Sequence, residues 1–208
     1  FTINNKILSI SGTRAYDGST TVSSGNISLN GLIGSETLNK SGSVSTSSSN
    51  ASIYGSALIN ASALSLSDGS NGGLISNYTL SGGSHSITIS KKSIGVNGSK
   101  VYDGSTSAAA SNLSLTGLIG SETLNLSGSG TITTSAVGDN KSVTDVNFTL
   151  SDNSGSAANY TLNGTLEINV TQRPVVVSGN KIYDGNTTVD GSNSVSYTHL
   201  TLPTILRV

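Results

Sequence analysis

The sequence predicts an all-β protein made of tandem, small β-sandwich-like (or related β) modules of about 80–86 residues in an elongated array. Three observations carry that expectation: an internal repeat, apolar residues alternating with period two, and turn residues between the alternating runs. The repeat is anchored on a short element that occurs three times, at Tyr16-Asp17-Gly18, Tyr102-Asp103-Gly104 and Tyr183-Asp184-Gly185. The first two tyrosines are 86 residues apart and the next two 81. A second marker, Gly31 to Leu38, returns letter for letter at Gly117 to Leu124, again 86 residues on. A third, Asn77-Tyr78-Thr79-Leu80, returns as Asn159-Tyr160-Thr161-Leu162 after 82. Because the order is kept, the chain divides into the tail of a preceding unit (1–5), a first copy (6–90), a second copy (91–171) and the truncated start of a third (172–194).

Within each copy the elements follow in order. Ile7-Leu8-Ser9-Ile10 reads as the opening strand, with counterparts at Ile94-Gly95-Val96 and Val175-Val176-Val177. Asp followed by Gly then supplies a side-chain acceptor and a residue free to take positive φ, the chemistry of a tight turn. The tyrosine before it is expected to lay its ring on the core of its own module. Ile27-Ser28-Leu29 and Leu113-Ser114-Leu115 alternate as half-buried strands do. The two glycines of the Gly-Leu-Ile-Gly block mark a turn entered and left by strands.

The middle of the unit diverges. Val146-Asn147-Phe148-Thr149-Leu150 predicts a strand in the second copy, and an offset of 84 places Ala57 of the first copy opposite Lys141. Each unit is expected to close with a hairpin, turning at Asn163-Gly164 in the second copy and at Gly82-Gly83 in the first. About six or seven strands per unit follow from this reading, with no helix of ordinary length.

Composition narrows the function classes. Gly, Ser, Thr and Asn make up more than half of the chain, only 10% of residues are charged, and the formal net charge is −1. Without a basic stripe there is nothing to hold a phosphate backbone, so nucleic acid is not an expected partner. Cysteine is absent, which removes disulfides and thiolate metal sites, and no apolar run is long enough for a membrane span. The chain starts at Phe1 without a methionine or a signal peptide, which suggests a fragment of something longer. Residues 195–208 break the composition; Val195 to Thr204 reads as a translated frame of the adapter DNA used in transposase-based library preparation, and the stretch is set apart as an artefact.

Candidate chemistry is sparse. Asp103 as a metal ligand or catalytic carboxylate lacks a second acid or histidine at a matching spacing. Glu36 and Glu122 have no partner base and are expected to cap backbone amides or face solvent. His85 has no counterpart in the second copy, and His199 lies in the suspected adapter. Lys100, Glu122 and an asparagine offer the residue types of an intramolecular isopeptide link. Tyr54 is the one aromatic expected on a loop that could meet a ligand. No catalytic, cofactor-binding or metal site is assigned; Tyr16, Asp17, Gly18, Tyr102, Asp103, Gly104, Tyr183, Asp184 and Gly185 are assigned as structural turn motifs.

The Tyr-Asp-Gly element, the Gly-Leu-Ile-Gly block and the Asn-Tyr-Thr-Leu stretch, in this order, resemble the YDG repeat domain. The resemblance covers Lys6 to about Ser194 and includes Val137 to Leu150, where a Val-Gly and a Lys precede alternating Thr and Val. It implies tandem modules of large Gram-negative surface adhesins, of the filamentous-haemagglutinin-like kind exported by two-partner secretion or of the autotransporter kind. The expected role is therefore a non-enzymatic, secreted, cell-surface stalk, with neighbouring repeats as partners and the parent adhesin meeting a host glycan or protein. The alternative is a binding module whose own loops make that contact.

Overall fold

The structure, a computed structural model, describes residues 1–188 and the backbone of 194–197. These residues form strands and five short 3-10 turns, with no α-helix among them. The protein is all-β, arranged in several sheets. Ten strands fall in residues 6–90 and eight in 91–171, more than alternation alone suggested, because bulges and turns cut long runs into short pieces.

In the first copy, one four-stranded sheet has the order Ile27–Asn30, Ser9–Ala15, Ser86–Ser90, Ser52–Gly55. A second is centred on Leu38–Thr46, which pairs with Thr21–Ser23, Ile59–Asn60 and Leu64–Asp68. Ile10, Ile27, Tyr54, Ile87 and Ile89 from the first sheet meet Val22, Val44 and Leu64 from the second in a continuous core. The small polar residues between them face outward, as period-two alternation requires. In the second copy, Lys92–Val101 and Tyr160–Thr171 lie side by side in a six-stranded sheet, and Leu124–Ser127 pairs with Thr149–Asp152.

The opening and closing strands of each copy are parallel neighbours. Ser86–Ser90 pairs with Ser11 to Ala15, setting Arg14 opposite Ile89, and Lys100 stands opposite Val170 in the same way. Parallel neighbours cannot be joined by a tight turn, so everything between them is the crossover. Each copy thereby ties its own two ends together in one sheet.

That pairing corrects the expected closing hairpin. Tyr160–Thr171 is one continuous strand that follows Lys92–Val101 throughout, and its register shifts between Ile94↔Leu162 and Val96↔Leu166. Asn163 and Gly164 sit in this bulge instead of reversing the chain. Gly164 is needed for close approach: a Cβ there would lie 2.9 Å from the Ile94 carbonyl oxygen. Gly83 meets Leu8 in the equivalent way, at 2.0 Å. A turn dipeptide reverses a chain only if the flanking runs pair with each other, and here both pair with the opening strand instead.

The middle alignment also changes. Tyr54 pairs with Ile87, and Lys141 pairs with Ile168, the counterpart of Ile87, so Tyr54 and not Ala57 occupies the position of Lys141. Ser56–Leu58 forms a 3-10 turn that splits the first copy's strand into Ser52–Gly55 and Ile59–Asn60, whereas Gly138–Thr144 runs unbroken. Tyr54 is buried, its hydroxyl donating to the Asn50 carbonyl at 2.7 Å, so it is not a loop aromatic open to a ligand. The strand expected from Val146 begins only at Thr149, because Asp145 takes φ +46° and turns the chain first.

Gly18, Gly104 and Gly185 take φ of 79°, 78° and 79°. At Gly104 a Cβ would meet nothing within 4 Å, so the cost of adding one is backbone strain alone. Gly104→Ala is expected to destabilise the second copy by about 1–2 kcal/mol, the cost of a left-handed conformation for an L residue. An unchanged denaturation midpoint would contradict it.

Of the stretch 195–208, residues 195–197 lie in the strand Ser194–Tyr197, paired antiparallel with Val176–Gly179. The rest, with His199, lies outside the described residues.

Candidate functional site

The Tyr-Asp-Gly turn is held by a residue to which the sequence reading gave no role in the turn, the base two positions before the tyrosine. Lys100 is buried, and its ammonium meets the Asp103 carboxylate at 2.8 Å and the carbonyls of Ser105 and Ser107 at 3.0 and 2.9 Å. Asp103 in turn accepts the Ser105 N–H at 2.9 Å. The Lys100 hydrogen bond, followed by that amide, holds the Asp103 carboxyl below the usual carboxylate range. Lys181 repeats the cage with Asp184, Asn186 and Thr188, and its contact with Asp184 likewise lowers that carboxyl. In the first copy Arg14 reaches Asp17 and the Ser19 carbonyl. The buried Lys100 ammonium, facing three oxygens, has its three donors satisfied and its charge paired, which fixes the turn, whereas the buried Nε of Arg14 has no partner among the described residues.

Glu122 is not a partner in that cage, and no ion pair joins it to Lys100 among the described residues. The residue trio of an isopeptide link is therefore not assembled.

Instead, Glu122 lies where the two copies meet. Its carboxylate accepts one hydroxyl from each copy: Tyr16 at 2.5 Å and Tyr160 at 2.7 Å. The two rings stack edge to face, centroids 5.4 Å apart and planes at 78°, a favoured aromatic geometry. The Ile119 N–H donates to the Tyr160 hydroxyl at 3.1 Å, and Gly155 sits so close to the Glu122 carboxylate that a Cβ would lie 2.7 Å from it. Buried Asn159 completes the contact, accepting the Ala51 N–H at 2.8 Å and donating to the Asn50 side chain at 3.0 Å. Burial, then the Glu122 carboxylate, raises the Tyr16 phenol above its usual value and pushes Tyr160 up to about 12.

Two expectations are corrected here. Glu122 binds two tyrosines and does not cap amides, and Glu36 binds the Tyr78 hydroxyl. Tyr16 does more than pack on its own module: it reaches into the other copy. Tyr102 and Tyr183, with the same local sequence, are 39% and 91% exposed. The signal available in the sequence was the co-occurrence of the glutamate with the later tyrosine in both copies, which alone does not specify a contact.

The second Tyr-Asp-Gly turn, the block Gly117 to Leu124 and the stretch Asn159 to Leu162 all fall inside one matched span. A YDG domain occupies residues 84–167. No curated protein and no solved structure matches the chain. The YDG domain thus contains Glu122 and Tyr160, while the tyrosine that joins them, Tyr16, comes from outside the matched span.

His85 accepts the Ile10 N–H through Nδ1 at 3.2 Å, a link between closing and opening strands. Among the described residues no group of three His, Cys, Asp or Glu is placed to hold a metal ion, and no helix is long and apolar enough to cross a membrane.

Proposed function

We propose that residues 6–171 are two tandem sandwich-like spacer modules of an exported bacterial surface adhesin, serving to hold an adhesive region away from the cell. The observation that carries this reading is the Tyr16–Glu122–Tyr160 junction. A spacer needs neighbouring modules that do not swing freely, and a short linker alone leaves bending open. Here the core of the first copy runs without a break through Tyr16 into Ile94, Leu124 and Tyr160 of the second. Ordering one copy therefore helps to order the next, as in other nearest-neighbour arrays. The hydroxyl- and amide-rich composition, with 10% charged residues, gives a surface solvated without strong fields.

Small-angle scattering on the full chain tests the proposal. An elongated monomer whose maximum dimension shrinks or broadens in Tyr16→Ala is the expected result. A compact particle, or a tight stoichiometric ligand bound by both copies in a glycan and protein panel, would replace the spacer with a binding module.

A further inference from the structure

Glu122 has a twin that is only half used. In the first copy the Tyr78 hydroxyl donates to Glu36 Oε2 and accepts the Ile33 N–H at 3.1 Å, just as Tyr160 does with Glu122 and Ile119. Among the described residues, the other carboxylate oxygen, Oε1, has no hydrogen-bond partner. Leu8, Leu38 and Tyr78 form a small apolar cluster of their own, whereas their counterparts Ile94, Leu124 and Tyr160 are fused to a neighbouring core by Tyr16. Asn77 is exposed where Asn159 is buried, and Ile33 is 52% exposed where Ile119 is half-buried. Ile3, Asn4, Ile33, Glu36, Asn77 and Tyr78 line a cleft of about 470 Å³ at this place.

We propose that this cleft is a receptor for the tyrosine of a Tyr-Asp-Gly turn carried by another unit of the same kind. The partner is specified by the junction already formed. There, the Tyr16 N–H donates to the Ser90 carbonyl at 2.8 Å, so the incoming turn lies beside the closing strand of its own unit. Asn4 occupies the sequence position equivalent to Ser90, and it lines the cleft. A phenol arriving beside Asn4 finds a carboxylate oxygen, a tyrosine edge and an apolar wall, the same set that receives Tyr16. The opposite end of the pair carries the complement: Tyr102 is partly exposed, its N–H held by the Thr171 carbonyl at 2.9 Å as Tyr16 is held by Ser90. Residues 3–171 therefore present a receptor at one end and a plug at the other, a head-to-tail arrangement that does not close on itself.

This inference rests on the spacer reading and is tested in the full chain lengthened by a tandem duplication of residues 4–89. That insertion places a second Tyr16 ahead of Glu36 through the natural joint sequence. In a double-mutant cycle, upstream Tyr16→Phe and downstream Glu36→Gln are expected to be coupled by about tenfold in the unfolding equilibrium, the size expected for a hydrogen bond to a charged acceptor. The same cycle on Tyr16 and Glu122 in the unaltered chain should give a matching value. As a readout that needs no variant, ring NMR of the lengthened chain should show the two Tyr78 phenols titrating apart, the receptor-bound one higher. Coupling at Glu122 but none at Glu36, with both Tyr78 phenols titrating together, would overturn this inference and leave the spacer reading standing. Absence of coupling at both glutamates would overturn both.

Discussion

Tyr16→Ala is expected to destabilise the chain by about 3–5 kcal/mol, the usual cost of truncating a buried aromatic to alanine. Tyr16 is 5% exposed, and its ring closes the gap between the first core and the Tyr160 cluster. Removing it opens a cavity at the junction and takes one of two hydroxyls from the Glu122 carboxylate. The second effect adds to the first, since a charge that loses a partner in a partly buried site keeps its desolvation cost. Unfolding should also change in form, one cooperative transition separating into two as the copies uncouple. Chemical denaturation followed by NMR signals from each copy measures both. Tyr102→Ala is the control: its side chain is partly exposed, so a change within about 0.5 kcal/mol is expected. Equal effects at the two positions would mean that the junction contributes nothing.

Alkaline unfolding between pH 10 and about 12 is the second large effect expected. The phenol of an unfolded chain titrates near 10, while Tyr160 is pushed up to about 12, by burial first and by the Glu122 carboxylate second. Tyr16 shifts in the same direction for the same two reasons. Between those limits the folded state holds more protons than the unfolded one, so stability falls as pH rises. The contribution is fully present below pH 10 and gone once Tyr160 ionises, when a phenolate would face a carboxylate at the 2.7 Å contact. Phenolate absorbance against pH should show Tyr160 ionising only near pH 12, with loss of β signal following it. Glu122→Gln removes the charge but not the burial, so it should lower the Tyr160 titration only part of the way. Stability that stays flat to pH 12 would contradict this account of the junction.

Local chemistry was legible in the sequence. The strands around Ile27 and Leu113 and the positive φ at the Tyr-Asp-Gly glycines follow from alternation and from a residue without a Cβ, which act over a few residues. The hairpin at Asn163-Gly164 was misread because the dipeptide signals a turn only when its flanks pair with each other. In the structure the whole strand Tyr160–Thr171 pairs instead with a segment about 70 residues earlier, and the glycine is there because Ile94 comes so close. Tyr54 was misplaced because three residues, Ser56–Leu58, were inserted where no marker fixes the register.

By itself, the sequence determined the recurrence of the markers, the all-β class and the glycines of the Tyr-Asp-Gly turns. The tertiary structure decided what the repeated residues do. Tyr16, Tyr102 and Tyr183 share one local motif, yet one is buried and two are not. Burial of a side chain depends on what stands opposite it, and for Tyr16 that is a carboxylate and a tyrosine more than one hundred residues away. No pattern of period two or period eighty encodes that contact, because it is set by how strands distant in the sequence pack against one another in the folded chain.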